Sequence, residues 1–187
     1  QEKVRSAKPH VGYQLVCLLA EAEVIGSVWT TNFDGLVPRA AANFDLVPIE
    51  VGIDCQERLP RSVQKGEVLC VSMHGDYRYD PLKNTKVELQ QQEVALREAL
   101  VKHVQDKPCV VLGYSGRDAS VMEALTAAYS TSGPGALYWC GYGNEIPSTV
   151  RQLIETARKA NRTAVYVPTQ GFDDLISRLA CHCLKDE

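Results

Sequence analysis

The stretch VIGSVWTTNFDGLVPRAAA at residues 24–42 decides how the rest of the chain is read. Residues 24–31 are β-branched and apolar, the composition of a strand packed on a core. Asp34-Gly35 then punctuates a turn, and Leu36 to Ala42 suit a short helix. A strand that runs through a turn directly into a helix is the repeating joint of an α/β protein. The joint recurs where the apolar run EVLCVSM (67–73) ends at His74-Gly75-Asp76, and where PCVVLGYS, opened by Pro108, gives way to Asp118.

Working outward, residues 11–23 place Val11, Leu15, Leu18 and Leu19 on one helical face. The run Leu46–Val51 carries Pro48, which points to an edge or irregular strand because proline cannot donate to a ladder. Residues 54–66 are polar and connecting, and 87–105 look helical. Asp118 suits an N-cap for a helix through Tyr129, Ala136–Gly141 reads as a strand, and Pro147 opens a helix over Ser148–Ala160. Thr163–Val167 is a short β-branched strand, and Gly171 to Cys181 a closing helix. Parallel strands require crossover connections, so the alternation predicts a Rossmann-like α/β fold: one domain over 1–187, a mostly parallel sheet with helices on both faces.

Composition narrows the function classes. The 187 residues carry 20 Lys+Arg against 23 Asp+Glu, a formal charge of -3, which leaves no basic excess for neutralising many nucleic-acid phosphates. No window approaches the roughly 18 apolar residues of a membrane span, and no secretory leader opens the sequence. The seven cysteines are odd in number and scattered, four of them in apolar runs, which fits a reducing cytoplasm. Cys181-His182-Cys183 is the one close pair, and no C-x-x-C motif completes a zinc site, so no metal is expected.

In a sheet of this kind ligands bind beyond the carboxyl ends of the strands. Four strand-end segments are candidates: Thr30-Thr31-Asn32-Phe33-Asp34, His74-Gly75-Asp76, Gly113 to Asp118, and Gly141-Tyr142-Gly143-Asn144-Glu145. Each combines small or hydrogen-bonding residues with a chain reversal, which suits a nucleotide. Each also has a purely structural explanation, since turns and N-caps call for the same residues. His74 stands apart, because the turn itself does not require an imidazole.

Taken in order, these segments resemble the sirtuin-like NAD-consuming fold over nearly the whole chain. TTNFD is similar to the sirtuin T-Q-N-I-D segment, His74-Gly75 to the catalytic H-G pair, LGYS to the G-T-S segment, and QGFDDLISRLA to the terminal G-x-x-D helix. The wording T-T-N-F-D-x-L with H-G-D and G-Y-S-x-R-D most resembles sirtuin-like NAD hydrolase domains of prokaryotic antiviral defence proteins. Sirtuin deacylases carry a zinc module with two C-x-x-C pairs after the H-G segment. Here YRYDPLKNTKVELQQQ follows instead, so the resemblance implies hydrolysis of NAD rather than deacylation. Family members also begin with a strand and a G-A-G-x-S loop. This sequence opens with QEKVRSAKPH, so it is expected to be the later part of such a domain, or of a longer protein.

The resemblance implies roles for individual residues. Asn32 would hold water or ribose beside the anomeric carbon, Asp34 would bind the nicotinamide carboxamide, and His74 would act as base. Thr30, Thr31 and Phe33 belong to the same binding segment. Ser115, with the Gly113 and Tyr114 backbone, would contact phosphate or ribose. Gly141, Asn144 and Glu145 would reach the adenosine ribose, and Phe172 and Asp173 would flank the adenine. Arg117 is either a diphosphate contact or a salt-bridge partner, and Tyr77, Arg78 and Tyr79 would cover the pocket as a lid. NAD is then substrate, with a homo-oligomer and regulatory or sensor partners implied by the family, and no direct nucleic-acid or membrane partner. A non-catalytic nucleotide-binding or assembly module stays open as an alternative.

Overall fold

A computed structural model describes residues 7–32, 34–52, 55–59, 61–74 and 86–184, with backbone alone at 57 and 86–93. Phe33, Gly75, Asp76 and the lid residues Tyr77, Arg78 and Tyr79 lie outside the described residues. The chain forms two compact units, Gln1–Leu96 with Ile176–Glu187, and Arg97–Leu175. Each carries its own three-stranded sheet, and every described strand pairing is parallel. The α/β, Rossmann-like expectation therefore holds, with the strands distributed over two sheets instead of one.

In the first unit, helix α1 (Val11–Glu21) leads to β1 (Ser27–Thr30), α2 (Leu36–Ala41), β2 (Val47–Val51), a 3-10 turn at Gln56–Arg58 and β3 (Glu67–Ser72). β3 is central in the order β1-β3-β2. A strand bonded on both sides and covered by helices reads as an unbroken apolar run, and Val68, Leu69, Cys70 and Val71 are all buried. Pro48 sits on β2, at the sheet edge, as its missing donor requires. β1 begins three residues later than expected because α1 ends first. Glu23 turns left-handed (φ 59°), and the Val24 and Ile25 amides donate back to the Leu19 carbonyl at 2.9 and 3.2 Å. His10 caps α1: its Nδ1 accepts from the Gly12 amide at 3.3 Å. Cys17, Ala20, Val37, Ala40, Val68 and Cys70 form a core with Tyr13 and Phe44 against it. Burial pushes the Cys17 thiol up to about 11 and Cys70 to about 12, so both behave as small hydrophobes.

Helix α3 (Lys86–Asp106) runs to the second unit, which holds β4 (Cys109–Leu112), α4 (Ala119–Tyr129), β5 (Leu137–Tyr142), α5 (Ser148–Lys159) and β6 (Ala164–Thr169) before α6 (Phe172–Cys183). β5 is central, in the order β4-β5-β6. Its Leu137 and Trp139 are fully buried, as are Tyr129 of α4 and Val150 and Leu153 of α5. The next row, Val110–Tyr138–Val165, is in register across the sheet and stays partly exposed. β6 runs past the expected Val167 to Thr169, and Pro168 is tolerated because the strand is an edge.

An interaction that the sequence did not disclose holds this unit together. Arg162 is 3% exposed. Its guanidinium donates to the carbonyls of Gly135 (2.8 Å), Ala128 (2.8 Å), Val104 (3.0 Å) and Gln105 (2.8 Å). It also lies 4.3 Å from the Tyr129 ring centroid. Val104, Gln105 and Ala128 are in the last turns of α3 and α4, where orphaned carbonyls and the negative end of the helix dipole favour a cation. A Cβ on Gly135 would sit 2.7 Å from the Arg162 Nη2, so the bare glycine makes room for the clamp.

Candidate functional site

The first-unit candidates collect at the carboxyl end of β1 and β3. Thr30 lies opposite Ser72, and the Met73 amide donates to the Thr30 carbonyl at 2.9 Å. The two strands therefore leave the sheet side by side, separated by about 4.8 Å. Asn32 and His74 each stand two residues beyond that last pair. Asn32 is exposed, while Thr31 and His74 are half-buried. The Asn32 amide donates to the Thr30 hydroxyl at 3.0 Å, so Thr30 serves to turn the chain. Asp34 has a structural task as well: its Oδ1 accepts from the Leu36 amide at 3.1 Å and caps α2 across Gly35. Among the described residues, Arg39 of α2 keeps Nη1 buried without a hydrogen-bonding partner.

The second-unit candidates lie at the carboxyl ends of β4 and β5 and at the start of α6. Gly113 is left-handed (φ 62°), and a Cβ there would meet nothing within 4 Å. Its backbone form demands glycine while its surface stays open to a ligand. Ser115 is exposed. Tyr114 is half-buried, packs against Trp139 with ring centroids 5.8 Å apart at a tilt of 42°, and donates its hydroxyl to the Asp118 carbonyl at 3.4 Å. Burial first, then the Asp118 charge, raises its pKa, which keeps it protonated. Asp118 is the N-cap expected of it, accepting from the Ser120 and Val121 amides.

Gly141 differs from Gly113. A Cβ on Gly141 would lie 2.7 Å from Cε2 of Tyr166, so the space that its missing side chain leaves is filled by that ring. Tyr166 places its hydroxyl 3.1 Å from both the Gly143 and Glu145 carbonyls. Thr169 donates to the Gly141 carbonyl at 3.2 Å. Asn144 and Glu145 are exposed, Phe172 is half-buried and Asp173 exposed in the first turn of α6. Tyr166 and Thr169 were missed by sequence reasoning, since alternation within β6 marks them only as strand residues.

Among the described residues no group of three His, Cys, Asp or Glu side chains is arranged to hold a metal ion. No described helix is long and apolar enough to cross a membrane.

The chain is a parallel α/β protein with polar, glycine-bearing loops at its strand ends, where sheets of this class hold their ligands. Within that class the family model described as SIR2-like domain matches residues 26–163, well over half of the chain, and the protein belongs to that family. The match spans the β1, β3, β4 and β5 rim loops; Phe172 and Asp173 follow it. SIR2-like domains bind NAD. No curated protein sequence matches the chain.

Proposed function

We propose that this domain is an NAD glycohydrolase. Water adds to the anomeric carbon as the bond from that carbon to the nicotinamide nitrogen breaks, giving nicotinamide, ADP-ribose and one proton. The observation that carries the reading is the β1–β3 register, which sets Asn32 and His74 at adjacent strand ends. Breaking this bond creates an oxocarbenium-like ribose, so a catalyst has to orient the leaving group, stabilise positive charge and aim a water. An amide and an imidazole beside one ribose suffice: Asn32 holds the water or a ribose hydroxyl, and His74 accepts the proton.

Asp34 keeps one carboxylate oxygen on the α2 cap, which leaves the other for the nicotinamide carboxamide. By family resemblance, the loops after β4 and β5 and the start of α6 would take the ADP-ribose part. Ser115 and the open backbone at Gly113 would take phosphate or ribose, Gly141, Asn144 and Glu145 the adenosine ribose, and Phe172 and Asp173 the adenine. By family resemblance the biological setting is antiviral defence in the cytoplasm, where depletion of NAD would be held in check by sensor or regulatory partners and by homo-oligomer assembly.

The test follows free nicotinamide released from NAD by the protein and by Asn32→Ala and His74→Ala. Each variant is expected to lose about 10²–10⁴-fold in turnover. Unchanged turnover in both would remove the assignment. Binding of ADP-ribose with no nicotinamide release by the parent protein would instead support a non-catalytic nucleotide-binding module.

A further inference from the structure

We infer that Tyr166 is a positioning residue for the ADP-ribose end of the substrate, acting through the Gly141–Glu145 loop; the inference rests on the NAD reading above. One phenol meets this loop in two ways. Its ring fills the face left bare by Gly141, and its hydroxyl lies 3.1 Å from the carbonyls of both Gly143 and Glu145. Thr169 adds two ties: its hydroxyl donates to the Gly141 carbonyl, and its backbone carbonyl accepts from the Gly143 amide at 3.3 Å.

The consequence follows from peptide geometry. No described peptide is cis, and in a trans peptide the C=O and the following N–H point in opposite directions. With the Gly143 and Glu145 carbonyls turned to Tyr166, the amides of Asn144 and Ile146 are aimed away from it. The exposed Asn144 and Glu145 side chains lie on the same short turn. Two fixed N–H donors, a carboxamide and a carboxylate are the groups that recognise a ribose diol. A loop lacking these ties would order only on binding, at a cost in affinity.

Tyr166→Phe keeps the ring and removes the hydroxyl. Titration of ADP-ribose and of nicotinamide mononucleotide, with NAD turnover alongside, reads the effect. The variant is expected to bind ADP-ribose about tenfold more weakly. KM for NAD should rise by a similar factor, with kcat within about twofold. Affinity for nicotinamide mononucleotide, which lacks the adenosine, should not change. Thr169→Val, cutting the neighbouring tie, should shift ADP-ribose affinity the same way.

Unchanged ADP-ribose affinity in Tyr166→Phe, or equal losses for both ligands, would overturn the positioning role while leaving the NAD reading intact. A parent protein that binds neither ligand would remove the NAD reading, and this inference with it.

Discussion

The two sheet rims are built from the same residue types and differ in what those residues are used for. At the end of β4 and β5, many conspicuous positions have a partner within the second unit. Asp118 caps α4, Gly141 accommodates the Tyr166 ring, and Tyr166 and Thr169 hold the turn that follows. At the end of β1 and β3, Thr30 turns the chain and Asp34 caps α2, while the exposed Asn32 makes its described hydrogen bond through its backbone amide. Composition alone does not separate a loop that supports the fold from a loop that acts on a ligand. Hydrogen-bond accounting does, because a residue whose identity the fold does not require is available for chemistry.

The contrast can be broken by stability measurements. The largest effect is expected from Arg162→Met, which strands four carbonyls in the buried clamp of the second unit. Chemical denaturation should show a loss above about 3 kcal/mol, and Arg162→Lys should not restore it because an ammonium lacks the planar fork. A loss below about 1 kcal/mol would mean that the carbonyls find water.

Gly141→Ala comes next, at about 1–3 kcal/mol, since the methyl overlaps the Tyr166 ring. Gly113→Ala tests the other kind of glycine: its cost of about 1–2 kcal/mol comes from the left-handed backbone and not from a clash. Enlarging Tyr166's space with Tyr166→Leu should therefore relieve Gly141→Ala and leave Gly113→Ala as it was. Equal response of the two glycines in thermal melts would refute the distinction.

Asp118→Ala should cost about 1 kcal/mol through the lost N-cap. Asn32→Ala, on the other rim, should alter stability by less than about 0.5 kcal/mol, as exposed positions usually do. A loss as large as that of Asp118→Ala would show that Asn32 serves the fold.

Much of this architecture is legible in the sequence. Pro48 points to an edge or irregular strand, the unbroken EVLCVSM run to a strand, and Asp118 to a helix start, because each follows from local rules of hydrogen bonding and burial; that the EVLCVSM strand is central is shown only by the pairing. Arg162 was not legible. It follows a left-handed Asn161 at the end of a polar helix, and nothing local reports that its partners lie up to 58 residues away. Tyr166 escaped for the same reason, its hydroxyl closing on carbonyls more than 20 residues earlier. At the site, strand-end placement was readable, whereas the second duty of Asp34 as a cap depends on the turn geometry that Gly35 permits.

The central claim is that Asn32 and His74 act on one ribose from neighbouring strand ends. A double-mutant cycle on nicotinamide release tests it most directly, comparing Asn32→Ala, His74→Ala and the double variant with the parent. Residues that serve a single transition state are not additive, so the double variant should turn over NAD no more slowly than the worse single one. Losses that multiply would mean that the two side chains act independently, and would contradict the account.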